Sequence, residues 1–184
     1  MMQRSRIPDY FSAVFPALVW LLFRYTEKAL PPAAAVCAAW VLPVCAILWY
    51  CRQRRISAFR LPVRQILLWT GIGIVCGILN RICFGKPAQP PLSFFTFFLL
   101  CILSPAAEEI IYRGFVYEHC LAFLPAAGAL VLNSLLFAAA HGTVTAMAAA
   151  LAAGMLFSLA RGKTGSVAAP ILLHIMTNTV VFLF

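Results

Sequence analysis

Acidic side chains are almost missing from this chain: five Asp and Glu stand against fourteen Lys and Arg in 184 residues. Charged residues of both signs make up 10% and apolar residues 64%. A soluble domain averages about 25% charged and about 45–50% apolar. A water-soluble fold of this size could not hide so much apolar surface, so the excess must face lipid. Other features are missing too. No segment alternates apolar and polar residues with period two, which excludes a lipid-facing β-barrel. The seven cysteines, at 37, 45, 51, 76, 83, 101 and 120, form no C-x-x-C pair, and most lie inside apolar runs, so they read as reduced core thiols. There is no H-E-x-x-H, so the common zinc-protease signature is absent. No low-complexity tail, second soluble domain or internal repeat is visible.

What is present is a series of long apolar runs. A transmembrane helix needs about 20 apolar residues, and seven runs approach that length: 10–23, 33–50, 66–82, 92–112, 126–141, 143–159 and 167–184. The predicted fold is an all-α polytopic bundle of about seven transmembrane helices, one integral membrane domain over 1–184. Arg4 and Arg6 precede the first run as in a signal peptide. Arg24, Glu27 and Lys28 follow it at once without a small-residue cleavage site, so an uncleaved first span is expected.

The net charge of +9 divides by membrane side. With the N-terminus in the cytoplasm, the inner side receives Arg4, Arg6, Arg52, Arg54, Arg55, Arg60, Arg64, Arg113, Arg161 and Lys163. The outer side receives Arg24, Lys28, Arg81 and Lys86. This bias supports a cytoplasmic N-terminus, and the short chain with few residues outside its spans leads us to expect a bacterial inner membrane. Loop 51–65 carries five of the arginines and should lie on anionic lipid, where each gains about 1 kcal/mol. Basic charge spread this way speaks for membrane lipids as partners and against nucleic acid. Residues 86–91, with three prolines, read as an outer loop. The small residues from 146 to 154 read as a closely packed helix face.

Within this apolar chain a few polar residues stand out. Glu108 and Glu109 follow an apolar run. An ionisable group at membrane depth costs at least about 2.5–3.5 kcal/mol and is usually functional and paired. Glu109 and Arg113 are i and i+4, the favourable order for an ion pair on one helix face. Glu108 points about 100° away and has no local counter-ion, which suits a group that takes and returns a proton. His119 lies in a short connection and reads as solvated. His141 closes an apolar span and His174 sits inside the last one. His174 and Asn178 are i and i+4, so both can donate to one oxygen, as an oxyanion needs. Glu108, His141, His174 and Asn178 together supply a base, its partner and two donors. No serine or cysteine has a base at motif spacing, so water is the simpler nucleophile. Glutamate and histidine could still hold zinc, so no cofactor is firmly implied.

Three motifs then match a family. Glu108-Glu109-Ile110-Ile111-Tyr112-Arg113 resembles E-E-x-x-x-R of the CPBP intramembrane proteases, which include type II CAAX prenyl endopeptidases and the bacteriocin-processing, Abi-type proteins. Phe137 to His141 is similar to F-x-x-x-H, and His174 to Asn178 to H-x-x-x-N. The resemblance covers about 92–184, the expected catalytic core. It implies a glutamic-type endopeptidase opening toward the cytoplasm, in which Glu108 and His141 activate water. His174 and Asn178 would stabilise the oxyanion, and Glu109 and Arg113 would brace the first glutamate's helix. The implied substrate is a membrane-embedded or lipidated peptide: a CAAX tail, a leader peptide or a protein-sorting tail. Two other classes stay open, a non-catalytic immunity or peptide-binding membrane protein and a proton-coupled transporter. On the span boundaries above, His141 lies toward the outer side and Glu108 deeper, an offset on the order of 15 Å.

Overall fold

The structure, a computed structural model, describes residues 18–20, 22, 26, 29–53, 56–85 and 93–184. Among them six helices exceed ten residues: α1 (Pro32–Gln53), α2 (Val63–Phe84), α3 (Phe94–Cys120), α4 (Ala126–Ala139), α5 (Val144–Thr164) and α6 (Ala168–Leu183). No strand occurs among the described residues. Four helices, α1, α2, α3 and α5, are long and apolar enough to cross a membrane, while α4 and α6 are shorter apolar helices. The expected first span falls almost wholly outside the described residues, as does loop 86–91. Outward faces are apolar: Leu67 is 69% and Ile82 74% exposed. Water would penalise such faces and hydrocarbon does not. The protein is a helical bundle integral to the membrane.

The helices end where the sequence breaks them. Ser93 caps α3 by accepting from the Thr96 N–H at 3.1 Å, and Thr143 caps α5 by accepting from the Ala146 N–H at 3.1 Å. Gly165 closes α5 with φ of 66°, a left-handed turn that favours glycine. That turn and the connection between α1 and α2 lie together at one end of the bundle. There Ala58 O accepts from the Val167 N–H at 3.0 Å and the Ser166 hydroxyl at 3.1 Å. At the other end, Arg81 Nη2 donates to Phe184 O at 2.7 Å, tying the ends of α2 and α6.

The most extensive helix contact is between α2 and α6. Gly73 and Gly77 face α6 so closely that a Cβ on Gly73 would stand 2.7 Å from Leu173 O, and one on Gly77 2.6 Å from Val180 Cβ. Thr177 bridges the seam, donating toward Leu173 O at 2.9 Å and Gly73 O at 3.2 Å. The G-x-x-x-G pattern is thus an internal seam of this fold. It fixes the rotation of the helix that carries His174 and Asn178. The cysteines correct one expectation: all seven are free, but only Cys101 and Cys120 are buried, and Cys37, Cys45, Cys51 and Cys83 are exposed on helix surfaces.

Candidate active site

Helix α3 runs eight residues beyond the predicted end at 112, to Cys120. At 1.5 Å per residue that is about 12 Å. Glu108 therefore sits near the middle of its helix rather than near one end. Meanwhile α4 has 14 residues and stops at Ala139. Together these two facts remove most of the offset between Glu108 and His141 that the span boundaries implied. Both side chains line one cavity of about 640 Å³, and His174, Asn178, Phe137 and Phe157 line it as well.

Helix α3 is not uniform. Two stretches of wider, i to i+5 turns, Phe98–Leu103 and Ile110–Val116, flank the short α-helical segment Ser104–Glu109. Pro105 has no N–H to give, and a wider turn before it lets neighbouring carbonyls find other donors: the Ser104 N–H reaches back five residues to Leu99 O. Such turns change helical phase locally and are frequent at functional sites. Here they frame the segment that aims Glu108 into the cavity and Glu109 away from it.

Glu109 and Arg113 are both fully buried. Arg113 Nη1 donates to Glu109 Oε1 at 3.0 Å and Nη2 donates to Gly154 O on α5 at 3.0 Å. The guanidinium carbon lies 4.4 Å from the Phe137 ring centre and 5.2 Å from that of Phe157, favourable for a desolvated cation. The expected ion pair is present, and it also reaches further. His174 Nδ1 lies 2.8 Å from the same Glu109 oxygen. An ionised carboxylate only accepts, so the His174 proton sits on Nδ1. Phe157 stacks on the His174 ring at 4.7 Å and 29°. Glu109 and Arg113 thus hold not only α3 but also the orientation of a histidine 65 residues away.

The other two polar residues are also held. His141 Nδ1 lies 3.0 Å from Phe137 O, one turn back. A carbonyl accepts, so Nδ1 carries the proton there too, and Nε2 is an acceptor in the neutral ring. Asn178 Nδ2 donates to Leu100 O in the first wide turn of α3 at 3.1 Å. An amide nitrogen has two N–H groups, and one of them is used by this bond. The structure brings Glu108, His141, His174 and Asn178 to one cavity and sets Glu109 and Arg113 behind it. His119 lies in the last turn of α3, against Phe123 at 5.3 Å and away from the cavity.

Among the described residues no three His, Cys, Asp or Glu side chains are grouped to hold a metal ion. Sequence reasoning missed Phe157 and Gly154, which support His174 and Arg113. Their one local signal is a glycine and an aromatic at i and i+3 within an alanine-rich helix, which is common in any packed helix.

No curated protein and no solved structure matches the chain. The family model for type II CAAX prenyl endopeptidase Rce1-like proteins matches residues 90–180, a stretch that takes in all six residues of the site. Over this core of residues 90–180 the chain is similar to the Rce1-like type II CAAX prenyl endopeptidase family.

Proposed function

We propose that this protein is a glutamic-type intramembrane endopeptidase that hydrolyses a peptide bond in a membrane-embedded or lipidated peptide. The observation that carries the reading is the convergence of Glu108, His141, His174 and Asn178 on one cavity inside an apolar bundle. The family match over residues 90–180 adds the reaction class.

In the proposed reaction a water molecule lies between Glu108 and His141 Nε2. Glu108 takes one water proton as the oxygen attacks the carbonyl carbon of the scissile bond. The carbonyl oxygen becomes an oxyanion, which accepts from the second Asn178 N–H and from His174 Nε2 when that ring is doubly protonated. Collapse of the tetrahedral intermediate breaks the C–N bond, and Glu108 returns its proton to the leaving amine. Glu109 acts through His174 by holding Nδ1, and Arg113 holds Glu109 in place. Every step uses side chains of this chain and one water.

The test is reconstitution of the protein in liposomes with a panel of membrane-anchored peptides: prenylated tails, leader peptides and sorting tails. Cleavage at one internal bond, absent from empty liposomes, is the expected result. Saturable binding of a peptide that stays intact would instead favour the peptide-binding reading. Movement of a solute or protons without cleavage would favour the transporter.

A further inference from the structure

The two ends of the bundle differ in charge. One end gathers Arg52 at the end of α1, Arg60 and Arg64 before and in α2, and Arg161 and Lys163 in the last turns of α5. Arg161 there pairs with Glu118 of α3. The other end has Arg81 as its single described Lys or Arg, engaged with Phe184 O. By sequence Arg54 and Arg55, between α1 and α2, add to this end, and Arg24, Lys28 and Lys86 fall to the other, so the basic excess stays at the Arg60 end. By the bias of basic residues toward the cytoplasm, the Arg60 end faces the cytoplasm.

Among the described residues the cavity's lining reaches the surface at the opposite end, with exposed Phe84 and Gly85 at the end of α2 and exposed Thr143 and Thr145 at the start of α5 as its rim, near Val181 at the end of α6. No residue of the Arg60 end lines it. From this rim the cavity runs inward to Glu108 and His174. No lysine or arginine is among its described lining residues. The rim offers hydroxyl, glycine and apolar groups, which suit the uncharged interior of a chain.

We propose, on the basis of the protease reading above, that the substrate enters from the extracytoplasmic side and is cut at an internal bond of a membrane-anchored peptide already carried across the membrane. This departs from the cytoplasmic opening that the family resemblance implied. A tail presented only in the cytoplasm could not reach Glu108 by this route.

The test is sidedness of labelling in the full chain. Gly142→Cys lies beside the rim, where an added Cβ meets nothing within 4 Å. Ala122→Cys lies on the exposed turn between α3 and α4, at the Arg60 end. A membrane-impermeant maleimide is applied to right-side-out and to inverted vesicles, with the wild-type chain as the background for its own thiols. Gly142→Cys should label in right-side-out vesicles and be protected in inverted ones, and Ala122→Cys should do the reverse. The opposite pattern, or labelling of Gly142→Cys from both sides, would overturn the proposal. The readout does not need catalysis. A chain with this sidedness that cleaves nothing would defeat the protease reading and leave the outward opening intact.

Discussion

Arg113 is the residue whose loss should cost this protein most. Replacing it with methionine keeps most of the side-chain length and removes the charge. Glu109 then remains fully buried with its counter-ion gone and His174 as the neighbour at 2.8 Å. Breaking a buried ion pair from one side costs about 3–5 kcal/mol. Loss of the ring contact at 4.4 Å adds to this, up to about 2 kcal/mol for a desolvated cation. The Gly154 carbonyl also loses its charged donor. The ion-pair cost alone is a factor of roughly 10² to 10⁴ in the folded-to-unfolded ratio. The assay is unfolding in mixed micelles followed by circular dichroism. A double-mutant cycle locates the cause: with Glu109→Gln in the background there is no stranded carboxylate, and the cost of Arg113→Met should fall by at least half. If Arg113→Met costs under about 1 kcal/mol, a value typical of an exposed pair, or if the two changes simply add, the buried-pair account is wrong.

Three further outcomes follow from the same geometry. Asn178→Ala should lower kcat by about 10²-fold or more with little change in KM, because an oxyanion donor acts mainly in the transition state; steady-state cleavage kinetics check this. Gly77→Leu should destabilise by about 1–3 kcal/mol through overpacking, since a Cβ there would stand 2.6 Å from Val180 Cβ. Gly71→Leu, with open space at its Cβ, serves as the unaffected control in the same unfolding assay. Dialysis against a strong chelator should leave the cleavage rate unchanged, because the proposed reaction uses Glu108 and one water and needs no metal; a rate that falls and returns with added zinc would refute this.

Much of this arrangement was legible in the sequence, for reasons that differ between residues. The apolar runs map onto α1, α2, α5 and α6 to within a few residues, because lipid demands length and apolarity of every span. The Glu109–Arg113 pair could be read because i and i+4 is a local relation. The link from Glu109 to His174 could not, since it crosses 65 residues and depends on how α3 meets α6. The end of α3 was misplaced because Arg113 looks like a span terminus in sequence, whereas it is buried against Phe137 and Phe157. The wide turns in α3 have a partial signal in Pro105, but the second stretch has none; Gly114 within it admits Tyr50, whose ring would stand 2.6 Å from a Cβ there. The thiols were expected in the core because they sit in apolar runs, yet in a membrane an apolar run faces outward as readily as inward.

The central claim is that Glu108 activates the attacking water. Its most direct test compares wild type with Glu108→Gln on the same cleaved peptide in liposomes, with unfolding measured on both. Glutamine fills the same space and cannot take the proton. The account predicts that cleavage disappears while stability and peptide binding stay at the wild-type level. Cleavage at the wild-type rate by Glu108→Gln would contradict it and remove Glu108 from the chemistry.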